Sequence, residues 1–405
     1  MRDIGPIFRT LLRNKLGATL IALQIALTLA VVTNAAHIIS QRAEDVARPT
    51  GVDEANTAIF ITTMFDSQID QRQLYRDDLE VLRALSGVIA ATSTQSVPAS
   101  GSGWGNNYYT DPEQPSDEAI NFGNFMTDEH GLAAFDLELV AGRNFRPDEM
   151  LVQSMDSFEF PKATIVSQAF ADAMFPDGDA LGKTVFNEPN GGQPIEVVGI
   201  YDHMQNAWPN SDNVDNSALT PLLPMFGGQM MYVVRAEPGQ RDAVMAAGEE
   251  YLAKNRGRIV ETVRSFEEQK RRTYGGDIAM IKLMSAVIVI LAAVTSLGIV
   301  GLAWFSVTQR RKQIGTRRAL GATRLDIVRY FMVENWMITS AGIVLGVFGA
   351  LTLNWFLDTE YSSGRLPLWY LPAGMLALWV LGQLAVLLPA RRAANIPPAL
   401  ATRSV

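Results

Sequence analysis

Four long apolar runs constrain the fold of this 405-residue chain more than any other feature. They cover residues 16–40, 278–308, 331–357 and 369–390. Each holds about 20 residues or more, which is enough for a helix to cross a hydrocarbon layer about 30 Å thick. A single run of this kind could be a buried core helix. Four of them predict a membrane protein with four transmembrane helices.

The first run could instead be a cleaved signal peptide, because basic residues precede it. These residues are Arg2, Arg9, Arg13 and Lys15. The run is, however, longer than the apolar segment of a signal peptide, which has about 7–15 residues. No clear cleavage site of small residues follows Ala36. The sequence therefore predicts a retained first helix.

Basic residues in the short flanks predict the orientation, because they favour the cytoplasmic side of a membrane. The segment 309–330 carries seven of them: Arg310, Arg311, Lys312, Arg317, Arg318, Arg324 and Arg329. The N-terminal segment 1–15 and the C-terminal segment 391–405 are also basic. We expect these three segments in the cytoplasm. The long segment 41–277 and the short loop 358–368 are then outside.

The composition offers few groups for catalysis or metal binding. The chain has no cysteine, which excludes disulfides, thiolate metal sites and thiol catalysis. With three histidines in all, a histidine-rich metal site is not expected. Asp202 and His203 are adjacent but lack an obvious partner for acid–base chemistry. We expect a protein that is not an enzyme, that binds no metal or cofactor itself, and that has no nucleic-acid partner.

The stretch "FPDGDALGKTVF" (175–186) ends in Gly-Lys-Thr, like a phosphate-binding P-loop. A P-loop has the pattern G-x-x-x-x-G-K-[ST], in which backbone N–H groups wrap a phosphate. Here three residues separate Gly178 from Gly182, and Asp177 stands where the first glycine belongs. The pattern is one residue short and places a carboxylate where a phosphate would approach. We therefore predict a turn that leads into a strand.

The outer segment 41–277 predicts an α/β (α+β) domain with internal symmetry. A strand, a helix and a strand are predicted at 57–65, 70–85 and 88–97, and again at 228–237, 239–255 and 258–266. Two β-α-β units suggest a split, ferredoxin-like layer formed by residues 41–98 and 228–277. Residues 99–227 would be an inserted subdomain, because they are rich in Gly, Pro, Asn and Asp with short strands between.

A glycine-rich stretch in this insertion, "GSGWGNNYYTD" (101–111), carries Trp104, Tyr108 and Tyr109. Exposed aromatic residues on a loop can contact a ligand or an extracytoplasmic partner. Alternatively, the three side chains cap the small core of the insertion. The second interpretation is preferred, and the first is kept as a candidate partner contact.

The stretch "RRKQIGTRRALGATRLDIVRYFMVEN" (310–335) is too basic to lie in the membrane, yet its pattern is helical. Ile314, Leu320, Leu325 and Val328 can form an apolar stripe with arginines on the other face. One interpretation is an interfacial helix on anionic lipid. The other is a docking element for a cytoplasmic partner.

The same stretch resembles a family signature. "RKQIGTRRALGATRLDIVRYFMVE" is similar to the signature of the FtsX/MacB-type permease domain of type VII ABC transporters, although Gln313 replaces the usual acidic residue. "LPARRAANIPPALATR" (388–403) resembles the closing segment of that family. The segments 137–149, 165–185 and 195–202 resemble the MacB-type periplasmic core domain. The resemblance spans nearly the whole chain.

The resemblance implies a bacterial inner-membrane permease whose large periplasmic domain, with a porter-like layer, lies between the first two helices. It implies that the loop between helices two and three docks on an ATP-binding subunit, which holds the ATP and Mg²⁺. The docking residues implied are Gln313, Ile314, Gly315, Arg317, Arg318, Ala319, Leu320, Gly321, Ala322 and Thr323. Because about 15 residues precede the first helix, we expect the ATPase dimer to be a separate chain.

Two permease chains pair in this family, as a homodimer or as a heterodimer of related permeases. Gly342, Gly346 and Gly349 place small residues at helical spacing in the third run, which allows close helix approach. This stripe could serve the dimer or could serve packing within one chain.

The function expected from the resemblance is mechanotransmission, in which ATP hydrolysis moves the outer domain and substrate does not cross the bilayer. The preferred form is efflux with a membrane-fusion-type periplasmic adaptor and an outer-membrane channel. The alternatives are an FtsX-like scaffold that regulates a periplasmic enzyme, and LolC/LolE-like lipoprotein extraction.

Overall fold

The computed structural model describes residues 15–66, 68–113, 119–152, 160–188, 192–223, 228–254, 257–361 and 364–397. The chain divides into two units. One, the helical unit, comprises Met1–Val46 and Gly276–Val405, and the other, the α/β unit, comprises Ala47–Gly275.

The elements are numbered along the chain. The helices are α1 Lys15–Ala47, α2 Gln71–Ala84, α3 Gly131–Phe135, α4 Gln168–Met174, α5 Arg241–Leu252, α6 Phe266–Thr273, α7 Gly275–Gln309, α8 Arg311–Ala319, α9 Arg324–Tyr361 and α10 Tyr370–Ala394. The strands are β1 Thr57–Met64, β2 Val88–Thr94, β3 Trp104–Tyr108, β4 Ile120–Thr127, β5 Leu139–Gly142, β6 Leu151–Val152, β7 Ala163–Ser167, β8 Thr184–Phe186, β9 Pro194–Tyr201, β10 Ser217–Leu223, β11 Gln229–Ala236 and β12 Arg258–Ser265. A 3₁₀ turn covers Pro147–Glu149.

Four helices, α1, α7, α9 and α10, are long and apolar enough to cross a membrane. They contain the four predicted apolar runs apart from Trp369, which directly precedes α10, so the expected helices are confirmed. Their ends differ from the predicted ones: α1 continues to Ala47 and α9 already begins at Arg324. Hydropathy marks only the apolar part of a helix, whereas the backbone hydrogen bonds continue through the polar residues at its ends.

The glycine stripe of α9 packs against α1 of the same chain. A Cβ atom added to Gly342 would lie 2.7 Å from the carbonyl oxygen of Ala22, and one added to Gly346 would lie 2.9 Å from Cβ of Leu29. At Gly349 the nearest atom, Cβ of Ala30, would be 3.4 Å away. The expected helix packing is therefore present, but the assignment of these glycines to a dimer contact is corrected, because α1 already occupies their face.

The first sheet of the α/β unit has the strand order β12-β1-β11-β2, and all its neighbouring strands are antiparallel. Helix α2 connects β1 with β2, and α5 connects β11 with β12. This is the predicted split, ferredoxin-like layer. Helix α2 buries Leu74, Leu79 and Leu82 in its core, as their helical spacing predicts.

A buried ion pair closes this layer. Asp78 on α2 accepts hydrogen bonds from the guanidinium of Arg258 at the start of β12, and both side chains are buried. The hydroxyl of Tyr232 on β11 donates to the same carboxylate over 2.5 Å. Burial and the Asp78 carboxylate raise the pKa of Tyr232 well above 10, so this hydroxyl stays a neutral donor.

The second sheet is formed by the inserted residues in the order β3-β4-β10-β7-β9-β5, with β6 on β10 and β8 on β9. It mixes parallel and antiparallel pairs: β4 and β10 are parallel, whereas β3 and β4 are antiparallel. One hydrophobic cluster includes Ile59 of the first sheet, Phe125 and Phe135 of the insertion, and Phe266 of α6. The insertion therefore shares a core with the layer into which it is inserted.

Two of the three candidate contact aromatics belong to the core. Tyr108 packs on Phe122, with ring centroids 4.4 Å apart, and both Tyr108 and Tyr109 are buried. Burial raises the pKa of Tyr108 to about 12. The preferred interpretation, that these side chains cap the core of the insertion, holds for both tyrosines, and their interpretation as a partner contact is corrected. Tyr108 packs within the insertion, and Tyr109, directly after β3, is held by backbone hydrogen bonds to Phe186 over 2.9 and 2.8 Å. Trp104, at the start of β3, is 41% exposed.

The Gly-Lys-Thr stretch forms the predicted turn before β8. The backbone N–H of Gly182 donates to the carbonyl of Val197 over 2.8 Å, and that of Lys183 donates to Ala180 over 3.2 Å. The ammonium of Lys183 lies 3.8 Å from the Asp179 carboxylate. These amides serve the local fold, whereas a P-loop directs its amides towards a phosphate.

Candidate functional site

The basic connection between α7 and α9 consists of the short helix α8 and a turn. Gly321 adopts a left-handed conformation with φ of 99°, which glycine tolerates best. The N–H of Gly321 donates to Arg318 and that of Ala322 to Arg317, a Schellman-type helix end. The helical pattern predicted for residues 310–335 is therefore interrupted at Gly321, a position at which glycine permits a close turn.

Helix α9 begins after this turn with a capping box. The hydroxyl of Thr323 accepts from the backbone N–H of Asp326 over 3.2 Å, and the Asp326 carboxylate accepts from the N–H of Thr323 over 2.9 Å. Each side chain satisfies a backbone donor that a helix start leaves free. This reciprocal cap explains why α9 starts seven residues before the apolar run beginning at 331.

One face of α8 is fixed to α9. The guanidinium of Arg310, just before α8, donates to the hydroxyl of Tyr330 over 3.2 Å and to Glu334 over 3.1 Å. Ile314, one turn further on, is buried in the core of the helical unit. The guanidinium of Arg317 stacks 4.8 Å above the ring of Tyr330. Residues 310, 314 and 317 share a helix face, so α8 is held along its length.

The opposite side and the turn are exposed. The side chain of Leu320 is 84% exposed and that of Leu325 is 78% exposed, and the bases Arg311, Lys312 and Arg324 are exposed as well. The predicted apolar stripe is corrected here, because Ile314 points into the core whereas the two leucines point outward. The break at Gly321 separates the two groups.

The predicted docking residues therefore fall into two sets. Ile314 and Gly315 are buried, and Arg318 is half-buried with its guanidinium donating to the Ala322 carbonyl over 3.3 Å. The exposed members are Gln313, Arg317, Ala319, Leu320, Gly321 and Thr323. Among these, Leu320 is the large apolar side chain, and its exposure beside basic residues makes it a candidate contact for a partner.

Sequence reasoning missed the anchoring role of Arg310, Tyr330 and Glu334. A signal was available, because Glu334 is an isolated acid within an apolar run. An ionisable residue in such a run needs a partner. Arg310, at the end of the preceding run, was the nearest basic candidate. In the part of the chain that the structure describes, no group of three histidine, aspartate or glutamate side chains could hold a metal ion.

Two family models match the chain. The model of the FtsX-like permease C-terminal family matches residues 285–398, which include α8 and the anchored turn. The model of the MacB-like periplasmic core domain matches residues 17–251. The second match alone covers more than half of the chain.

Individual relatives agree with these models. The macrolide export ATP-binding/permease protein MacB of Marinobacter nauticus is 24% identical over 269 residues, which are 62% of this chain and 39% of that protein. The ABC transporter permease YknZ of Bacillus subtilis is 23% identical over 354 residues, 81% of this chain and 78% of that protein. The chain thus spans about two fifths of the length of the MacB relative.

Two solved structures are also similar. The periplasmic region of MacB from Actinobacillus actinomycetemcomitans has 15% identity and a TM-score of 0.34, covering 56% of this chain and 96% of that one. The extracellular domain of YknZ has 16% identity and a TM-score of 0.32, covering 51% of this chain and all of that one.

The same assignment is supported by the family models, by the relatives, and by the four apolar helices together with the large α/β unit. The chain belongs to the MacB/FtsX family of type VII ABC permeases, which are inner-membrane proteins with an extracytoplasmic domain.

Proposed function

We propose that this permease converts ATP hydrolysis by a cytoplasmic ATPase, carried on a separate chain, into movement of its α/β unit. The movement drives export of a substrate that is already outside the inner membrane, together with a membrane-fusion-type adaptor and an outer-membrane channel. The permease acts as a pair of chains. ATP and Mg²⁺ bind to the ATPase dimer and not to this chain.

The observation that carries the proposal is the anchored helix α8 with its exposed end. A docking element that transmits force needs one face fixed to the permease and another face free for the partner. Arg310, Ile314 and Arg317 supply the fixed face through Tyr330 and Glu334. Leu320, flanked by basic residues, supplies the free one.

In this mechanism the ATPase moves α8 when it binds ATP. The Arg310–Glu334 ion pair passes that displacement to α9, because the two side chains are hydrogen-bonded and largely shielded, with 13% and 8% of their surface exposed. Since Arg310 directly follows α7, the displacement also reaches α7, which leads to the α/β unit. No passage through the bilayer is needed for a substrate that is already outside.

The substitution Leu320→Asp tests the docking surface. It places a carboxylate at the free end without touching the anchor residues, so the fold should persist while the partner is lost. We expect the amount of ATPase that co-purifies with the full chain to fall about tenfold or more, as for the loss of a central interface residue. Arg317 and Arg318 are poorer targets, since both also hold the local fold.

The matched control is Leu181→Asp, the same change at a partly exposed leucine of the α/β unit. It should leave the ATPase bound. Equal ATPase recovery with Leu320→Asp and with the unchanged chain would contradict docking at this surface. Proteins that co-purify from native membranes then separate the functions: an adaptor supports export, whereas a cell-wall hydrolase or a lipoprotein carrier without an adaptor supports the scaffold or extraction alternatives.

A further inference from the structure

The chain passes between its two units twice, once after α1 and once between α6 and α7. Residues 48–56, which connect α1 with β1, have no helix or strand of their own. Instead, two cationic side chains, from α6 and α5, donate hydrogen bonds to this connection, and a third, from β11, lies near it. All of these contacts lie within the α/β unit.

Lys270 of α6 makes the most direct contact. Its ammonium donates to the carboxylate of Glu54 over 2.8 Å and to the carbonyl of Arg48 over 3.1 Å. The Lys270 side chain is 16% exposed, so water screens this pair only partly. The buried hydroxyl of Thr50 donates to the same Glu54 carboxylate over 2.8 Å. The first half of the connection is thus tied to the helix that precedes α7.

The second half is held in a similar way. Arg241 of α5 donates to the carbonyl of Ala55 over 2.7 Å and to Glu267 of α6 over 2.9 Å. Arg235 of β11 lies 3.7 Å from the carboxylate of Asp53. The carbonyls of residues 48 and 55, near the two ends of the connection, therefore accept hydrogen bonds from Lys270 of α6 and Arg241 of α5. Helix α6 directly precedes α7 in the sequence.

A separate pair joins the same two chain segments within the helical unit. The guanidinium of Arg42 on α1 lies 2.7 Å from the carboxylate of Asp277 on α7. Two ion pairs therefore join the chain that follows α1 to the chain around α6 and α7. The pair Lys270–Glu54 lies within the α/β unit, and the pair Arg42–Asp277 lies within the helical unit.

We propose that Lys270, assisted by Arg241, is a positioning residue that fastens the two connections into a single mechanical junction. Movement of α1 and α7 then reaches the α/β unit as one displacement and is not absorbed by an unstructured connection. This inference rests on the proposed function, since it names the residues through which that movement would be transmitted.

The test compares three variants of the full chain, bound to its ATPase in lipid nanodiscs. Lys270→Met removes the ammonium, Lys270→Arg keeps a cation, and Lys254→Met removes an exposed lysine from an i,i+4 surface pair as the control. The first measurement is amide hydrogen exchange in residues 48–56. We expect exchange about tenfold faster with Lys270→Met, the effect of losing a charged hydrogen bond, and near-normal exchange with the other two variants.

The second measurement follows motion. Because the chain has no cysteine, a chain that carries both Asp212→Cys and Glu360→Cys takes spin labels at these two positions and at no other. We expect ATP and Mg²⁺ to change the distance between the labels in the unchanged chain. With Lys270→Met the change should shrink by at least half while the ATPase still turns over, and Lys270→Arg should restore it. A merely stabilising role would not separate hydrolysis from movement in this way.

The outcomes are distinguishable. Unchanged exchange in residues 48–56 with Lys270→Met, or an undiminished change in label distance, would overturn the junction while the proposed function stands. No ATP-dependent change of distance in the unchanged chain would overturn the proposed coupling itself, and the transmitting role of Lys270 with it.

Discussion

At the scale of single residues, the most demanding contact in the α/β unit is the buried pair of Asp78 and Arg258. The two side chains are 0% and 2% exposed, and the pair is bidentate. Removing ions from water is costly unless each has partners. Tyr232 and the carbonyl of Leu252 supply the remaining hydrogen bonds, so neither charge is left unsatisfied.

We predict that Asp78→Asn destabilises the α/β unit by about 3 kcal/mol, because it leaves the Arg258 guanidinium buried without a counter-charge. Pulse proteolysis of the full chain in urea, read at cleavage sites in Ala47–Gly275, measures the loss. Asp77→Asn, the same change at an exposed neighbour on α2, should cost little. If Asp77→Asn and Asp78→Asn cost the same, the pair does not stabilise this layer. Arg258→Met combined with Asp78→Asn should cost less than the sum of both.

At the scale of elements, the sequence predicts helices and strands that have a strong hydrophobic period. It does not fix an element boundary that depends on a single turn. The two β-α-β units are recovered, since α2 places leucines on one face and its neighbours are short apolar strands. The end of α8 is recovered only in part. Gly321 permits a helix to continue or to end, and only the capping box of Thr323 and Asp326 decides between them.

The strands of the insertion also escape prediction in detail. Neighbours such as β4 and β10 are separated by about 90 residues of sequence and pair in parallel. Their pairing is set by tertiary packing and not by a local turn. By contrast, the preferred interpretation of Tyr108 and Tyr109 as part of the core of the insertion holds, since both side chains are buried.

The packing of α9 on α1 gives a prediction at this scale. Gly342→Ala and Gly346→Ala should each destabilise the helical unit by about 1–3 kcal/mol, because the new methyl group would overlap backbone atoms of α1. Gly349→Ala should be tolerated, since its methyl group would lie at normal contact distance from Ala30. Thermal unfolding of the detergent-solubilised chain, read by size-exclusion chromatography, ranks the three variants. Loss of a permease dimer without loss of stability would instead favour the dimer interpretation.

At the scale of the whole molecule, the organisation follows from two features that are separate in sequence. The apolar runs place four helices in the membrane. The α/β unit interrupts them between α1 and α7, and its own insertion interrupts the first sheet between β2 and β11. Because the insertion shares one hydrophobic cluster with that sheet, its residues belong to one cooperative unit and not to a detachable module.

The orientation of this molecule yields the last prediction. Seven basic residues lie in segment 309–330, and such residues are retained on the cytoplasmic side during insertion. Chains with a single cysteine can be made without background, because the protein has none. A membrane-impermeant maleimide should label Asp212→Cys in intact spheroplasts, since this residue is exposed on the α/β unit. It should label Lys312→Cys, exposed on α8, only after the membrane is permeabilised. Labelling of Lys312→Cys in intact spheroplasts would place α8 outside, where no ATPase could reach Leu320, and the proposed coupling would then be excluded together with the orientation.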